Sequence, residues 1–394
     1  MQKTKLYFRN RRLSICVIIF SIIVLFNCCD DNDIFNPVMD IESFISPLPR
    51  HTPIPENNPL TSEKAELGRL LFWDPVLSGN KDVACATCHH PSQGYADGLD
   101  LSIGIGGSGL GELRTGTVLA KRNAHTILNT AFNGIDKDGI THPLNSPMFW
   151  DNRAMSLEEQ ALLPILSKEE MLGNEIHENV IYDTIVGRLS AIPKYRQSFQ
   201  QVFGTDSIHV DRIAKVIATF ERTLVTSNSP FDRYLRGDRT AMTPQQINGM
   251  NAFINVGCAE CHGGPMFSDF ELHTLGVPDN PKLPETDGGF GAYEFRTPTL
   301  RNLALTAPYM HNGMHTSLIE VMNFYEEISE GDDQVINEKV SGNDIAPLAR
   351  ALDMDEDATD EIIAFINALN DSDFDRAIPV RVPSGLPVGG KIGD

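Results

Sequence analysis

Positive charge is scarce in this chain: 32 Lys and Arg stand against 53 Asp and Glu, a formal net charge of −21 over 394 residues. A surface of that sign repels phosphate backbones, so no nucleic-acid partner is expected, while solubility or a basic protein partner fits. Cysteine is sparse as well, with seven residues. Cys16, Cys28 and Cys29 belong to the leading segment, and Cys85, Cys88, Cys258 and Cys261 fall in two short motifs, which leaves no thiols for structural disulfides. None are needed, because 41% hydrophobic residues over this length supply ordinary cores. Period-two alternation is rare, so the expected class is all-α, mainly helical with long loops. The apolar run Leu13–Phe26 is too short to span a bilayer comfortably.

What is present is Cys85-Ala86-Thr87-Cys88-His89 and its echo, Cys258-Ala259-Glu260-Cys261-His262. C-x-x-C-H is the attachment signature of c-type haem: two thiols form thioethers to the porphyrin and the histidine ligates iron. Paired C-x-x-C also holds zinc, but a zinc ribbon places its pairs close in sequence and these lie in different halves. A thiol–disulfide exchange pair needs neither the trailing histidine nor a second copy. The pattern therefore predicts two covalent haem c groups, one on Cys85, Cys88 and His89, the other on Cys258, Cys261 and His262.

Lys3, Lys5, Arg9, Arg11 and Arg12 precede the apolar run, and Asn27-Cys28-Cys29 ends it, the order of an export signal closing on a bacterial lipoprotein site. Residues 1–29 are expected to be a signal peptide, the body to be periplasmic, and the membrane to be met only through a lipid on Cys28 or Cys29. Residues 30–60, rich in Pro and Asn, read as a tether. A helix capped by Thr61 or Ser62 stops at Asp74-Pro75. Further helices are expected over 156–165, 179–189 and 210–226, from Thr243-Pro244 into the second motif, and over 317–327 and 358–369. Residues 381–394 read as an extended tail. Tyr95, Asp97 and Gly104 after His89 answer Phe267, Asp269 and Gly276 after His262, and Arg122-Asn123 answers Arg301-Asn302. Two tandem cytochrome c-like domains, 61–238 and 239–380, are the organisation this implies.

A haem with two protein ligands passes electrons, whereas an open sixth position binds peroxide or oxygen. No His or Met lies between His90 and His125, so the first iron is expected to be open. His90 is too near His89 to reach the opposite face and reads as a surface or propionate contact. Around the second motif Met266, Met310, His311, Met314, His315, Met322 and Tyr325 compete, most of them as core filler.

The chain resembles the bacterial di-haem cytochrome c peroxidases and their MauG-like relatives. The likeness rests on C-A-T-C-H, R-N-A-x-T-I-L-N-x-A-F from Arg122, F-W-D-N-R-A-x-S-L-E-E-Q-A from Phe149, C-A-E-C-H-G-G, and R-T-P-T-L-R-N-L-A-L-T-A-P-Y-M-H-N-G from Arg296. The resemblance implies two facing helical haem domains with a calcium ion between them. It also implies reduction of hydrogen peroxide to water with electrons from a small c-type cytochrome or cupredoxin, a homodimer being one expected assembly. By position, Trp150 is the relay between the haems, on a segment held by an Asp151–Arg153 salt bridge. Glu170, Gln160 and Pro164 fall on the peroxide pocket, with Glu170 as general base and then acid. Asn123, Thr306 and Pro308 fall on the calcium site, where oxygen donors suit a hard cation. Tyr325 stands for the usual methionine ligand of the second iron, with Met322 one turn earlier as the fallback. Ile105-Gly106-Gly107 replaces the distal-loop histidine of peroxidases that need reductive activation, and His125 stands where the family often has Pro. The rival readings are a MauG-like oxidase of a protein side chain and a pure di-haem electron carrier. Against the first, Val256 occupies the position where that branch places a surface Trp.

Overall fold

Thr61 opens the first helix, α1 (Ser62–Phe72), by accepting a hydrogen bond from Lys64 N on its hydroxyl. The computed structural model describes residues 41–354 and 356–393; the expected signal peptide, its lipidation cysteines and residues 30–40 of the tether lie outside them. Further along come α2 (Glu178–Ala191), α3 (Pro193–Phe203), α4 (Val210–Glu221), α5 (Pro230–Leu235), α6 (Pro244–Val256), α7 (Leu318–Glu330) and α8 (Glu356–Ala368). An antiparallel pair, β1 (Leu272–Thr274) and β2 (Glu294–Arg296), sets His273 opposite Phe295. The molecule is mostly helical with little sheet. Among the described residues no helix is long and apolar enough to cross a membrane.

The helix expected over 156–165 is a single turn, Leu157–Gln160, followed by a 3-10 turn at Pro164–Leu166. Pro164 has no N–H with which to continue the ladder. The helix expected over 210–226 ends at Glu221, which frees Thr226 for a role of its own. Sequence reading misses α3 and α5, each opened by Pro at its first position. It also misses the hairpin, whose three-residue strands are too short to show alternation.

Each half is built on one close helix crossing. A Cβ on Gly68 of α1 would lie 1.9 Å from Val216 O of α4, and one on Gly249 of α6 would lie 1.8 Å from Glu361 O of α8. Only glycine allows backbones that near. In both halves the crossing helix leads into a C-x-x-C-H motif. The match of Arg122-Asn123 with Arg301-Asn302 is corrected by the structure, where the counterpart of Asn302 is Asn129. Both stand forty residues past their motif histidine. Both take a left-handed conformation, φ 65° and 64°, and open a 3-10 turn. Their amides donate to one shared Thr226 hydroxyl, at 2.6 and 2.7 Å.

The two chain ends cross over. Residues 41–60, expected to be loose, seat on the second motif: Ile45 bridges Gly264, and Leu48 N donates to Asp232 Oδ1 at 3.0 Å. Ile45 and Leu48 are fully buried, and that apolar content is why the segment does not float. The tail, expected to be an extended arm, straps the first motif. Thr87 Oγ1 donates to Gly389 O at 2.9 Å, Lys391 N to Asp82 O at 3.0 Å, and Gly109 N to Lys391 O at 2.9 Å. The described residues form one unit, with both ends passing the expected boundary at 238.

Asp232 and Arg301, both inaccessible to solvent, pair through two bonds of 2.9 and 3.0 Å. Removing one partner strands a buried charge. Arg301→Met is therefore expected to cost about 3–5 kcal/mol in guanidinium unfolding; an unshifted midpoint would refute the pair's role in holding the halves.

Candidate active site

Cys85–Cys88 form one helical turn, opened by the Thr87 hydroxyl accepting from Ala84 N at 2.9 Å. His89 Nδ1 bonds Tyr95 O at 3.1 Å, and His262 Nδ1 bonds Phe267 O at 3.0 Å. Tyr95 and Phe267 share a left-handed backbone, φ 59° and 53°, so each half presents its histidine a carbonyl from the same kind of turn. With Nδ1 donating, each imidazole offers Nε2, the arrangement of a metal-ligating histidine with its outer partner. The four thiols are free, and burial pushes Cys85 and Cys258 up to about 12. They do not converge on one ion. Among the described residues the one cluster with metal-like spacing is Cys261, Asp269 and His273, which holds a single thiol. Its His273 Nε2 already meets Asp269 Oδ2 at 2.8 Å. Thiol pairs set beside outward Nε2 atoms fit two covalent haems and not a shared zinc.

Both motifs open onto one cavity of about 770 Å³. Each site residue expected from sequence lines it: the two motifs, Asn123, Trp150, Gln160, Pro164, Glu170, Thr306, Pro308, Met322 and Tyr325. Of the other candidates around the second motif, Met310 and His311 reach the lining, whereas Met266, Met314 and His315 do not. His90 does not behave as a surface group. It is buried, its Nδ1 lies 2.7 Å from Ser92 Oγ, and its ring meets Trp73 edge-on.

Glu170 sits in a π-helical turn, Lys168–Leu172. The glycine-rich loop presses on that turn: Ile105 N donates to Glu169 O at 3.2 Å, and a Cβ on Gly104 would come within 2.7 Å of Glu170 Cα. Ile105, in the stretch that lacks the distal histidine, packs into the first-half core beside Ile165 and Met171. Buried Arg114 ties the loop together by donating to Gly104 O and Gly109 O, both at 2.9 Å. Burial raises the Glu170 carboxyl above its ordinary value, and Arg153, stacked 3.6 Å over the Phe149 ring, pulls it back. Burial that disfavours the charged form makes this carboxyl a better proton acceptor than an exposed one, as a general base that later acts as acid requires.

Trp150 lines the cavity wall, its Nε1 donating to Asn123 O at 3.0 Å. The expected Asp151–Arg153 bridge is present at 2.7 Å, and Arg122 joins Asp151 at 2.8 Å. Sequence reading names His125 and His311 without placing either at the indole, and does not single out Arg296. His125 stacks on the indole at 3.9 Å, and His311 meets it edge-on at 6.4 Å while stacking on Phe295. Arg296 is buried, donates to Phe149 O at 2.8 Å, and is pushed down to about 10 by desolvation. Among the described residues no carboxylate forms an ion pair with Arg296, Asp151 acting on it only from a distance, so a buried anion such as a haem propionate suits its charge. Their signal in sequence was slight, a His in a Pro position and an Arg inside a long motif.

On α7, Tyr325 is half-buried, and desolvation first, then the nearby Cys258 and Cys261 thiols, raise its hydroxyl above the ordinary value. Met322 is one turn away. Asn123 donates its amide to Leu99 O at 2.7 Å and lies 3.4 Å from Pro308 O. Turning the amide over would present Oδ1 to the Pro308 side, as a hard cation requires.

A family model described as di-haem cytochrome c peroxidase matches residues 62–240. Cytochrome c551 peroxidase of Nitrosomonas europaea is 33% identical across 84% of this chain and 87% of its own. Methylamine utilization protein MauG of Methylophilus methylotrophus is 34% identical across 82% of this chain and 87% of its own. A solved MauG-like protein associated with microbial copper homeostasis superposes with a TM-score of 0.65 at 27% identity, covering 82% of this chain and 95% of that one. The chain belongs to the di-haem cytochrome c peroxidase family.

Glu221, at the end of α4, turns into the cavity with Oε2 unpartnered, and burial lifts its carboxyl from 4.5 to about 8. Arg222 opposes that rise and Glu158 adds to it. The folded chain thus holds a proton that the unfolded chain releases. Glu221 favours folding below pH 4.5 and that contribution is lost as pH rises to about 8. Glu221→Gln is expected to flatten the fall of melting temperature across this window. A slope equal to the parent's would mean that Glu221 is ionised in the folded protein.

Proposed function

We propose that this chain is a di-haem peroxidase that reduces hydrogen peroxide to water with electrons from a small redox protein. The observation that carries the reading is the single cavity joining two C-x-x-C-H motifs, the half-buried Glu170 carboxyl and an indole. Bound there, two haem c groups supply the iron chemistry that activates peroxide and stores electrons. Cys85, Cys88, Cys258 and Cys261 provide the thioethers, and His89 and His262 the proximal nitrogens. Glu170 would take the proton from one peroxide oxygen and deliver it to the other as the O–O bond breaks, releasing one water, while two electrons and two further protons carry the remaining oxygen to a second water. Gln160 and Pro164 shape the pocket around that transfer. Trp150 relays electrons from the His262 side, where a small c-type cytochrome or cupredoxin restores them. Tyr325, or failing it Met322, completes the second iron's ligands, and Asn123, Thr306 and Pro308 hold calcium. The leading sequence supports a periplasmic enzyme tethered through a lipid on Cys28 or Cys29, with a homodimer compatible with it.

Tyr325 on the cavity wall favours a second reading, a MauG-like oxidase of a protein side chain. Against it, Val256 is buried at the position where a surface Trp would serve as the exit.

Glu170→Gln is expected to keep both haems and bind peroxide, yet lose about 10²–10⁴-fold in turnover. A rate near the parent's would assign the proton to another group. In the same preparations the parent should retain two haems after denaturation and Cys85→Ser/Cys88→Ser one; extraction of both by acid and organic solvent would sink the covalent assignment.

A further inference from the structure

His125 stands out in the cavity wall because the proposed chemistry leaves it without a task. Its imidazole lies on the Trp150 indole with centroids 3.9 Å apart and planes 28° from parallel. Its carbonyl faces the His89 imidazole. Its Nε2 is buried without a hydrogen-bond partner. The charged groups that act most strongly on the ring are Arg296, His89, Arg122 and Arg153.

We propose that His125 is a positioning residue for electron transfer, joining the His89 side of the cavity to Trp150 and stabilising the indole while it is one electron short. The inference rests on the relay role given to Trp150 above. From the His89 ring the path crosses one polar contact to the His125 carbonyl, runs through bonds to the imidazole, and ends in the stack. An aromatic face in van der Waals contact attracts positive charge. An oxidised indole needs such a neighbour here, because three guanidinium groups raise the cost of placing a cation among them. The electron count closes on the indole: one electron leaves toward the His89 side and one arrives from the His262 side. The N–H stays bonded to Asn123 O throughout, so no proton moves. Proline at this position would offer the carbonyl but no π face. The free Nε2 gives the ring one more anchor, since a haem propionate oxygen has the acceptor chemistry it lacks.

The test uses the full chain with both haems. A flash-generated one-electron oxidant strong enough to oxidise an indole is applied to the ferric protein without peroxide, and equilibration of the missing electron among the haems and the indole is followed by absorbance. This readout survives if the peroxidase reading fails. His125→Leu, which fills similar space without a π face, should slow equilibration by about ten- to a hundredfold, the scale on which misplacement in a reacting array is felt. His125→Phe, which keeps the stack, should restore most of the rate, and His125→Pro should resemble Leu. Both haem midpoint potentials should stay at parent values, so that the change is one of coupling and not of driving force. Equal rates in the parent and His125→Leu overturn the proposal, as does a Phe variant as slow as Leu. A slowed rate fully explained by shifted potentials also overturns it.

Discussion

The buried pair Asp232–Arg301 governs how the second histidine is held. Arg301 donates to Pro265 O at 2.7 Å and lies 5.5 Å over the Phe267 ring. Phe267 in turn supplies the carbonyl that holds His262 Nδ1. Asp232 is fixed from the other side by the Ser229 hydroxyl at 2.7 Å and by Leu48 N. A buried ion pair is worth keeping only when its remaining lone pairs and protons are satisfied, because desolvation otherwise exceeds the Coulomb gain. Here the carboxylate is surrounded by donors. The first half has its own version: Arg222 Nη1 meets Glu158 Oε1 at 2.6 Å, and Asn58 donates to that same oxygen at 2.7 Å. Each half thus uses an Arg–carboxylate pair that also captures a stretch of the N-terminal segment. The segment is a structural staple, although its Pro-rich composition suggests a linker.

The chemistry was legible in the sequence to a greater depth than the architecture. Two C-x-x-C-H motifs and a handful of family positions named fifteen residues that the fold gathers on one cavity. Those residues are legible because their roles demand particular atoms at particular spacings. The chain crossings were not legible, because their causes act across the whole chain. Arg69 with Asp375, Thr87 with Gly389 and Asn58 with Glu158 are each set by partners at least a hundred residues away. The repeat was misaligned for a related reason. Arg-Asn dipeptides look alike on paper, whereas the structural rule is a left-handed Asn reaching Thr226, and only Asn129 and Asn302 do so.

Satisfaction of buried polar atoms connects fold to cofactor. Most of the interior obeys the expectation that buried donors and acceptors are paired. His125 Nε2 and Glu221 Oε2 depart from it on the cavity wall, where buried Arg296 also has no ion pair among the described residues. Each unmet group of this kind costs about 1–3 kcal/mol. His125 Nε2 and Glu221 Oε2 lie on the wall where carboxylate-bearing haems would sit, whereas Trp73 Nε1 and Arg222 Nε, also unpaired, lie away from the cavity. Evolution of a purely self-sufficient core would replace such groups with hydrocarbon. Their retention fits a protein whose interior is completed by its cofactors, so that loading and folding reinforce one another. The same logic explains why the first motif is strapped by the tail and the second by the N-terminal segment: each thiol pair is held in place by chain from the opposite end, before any ligand has tied the two halves together.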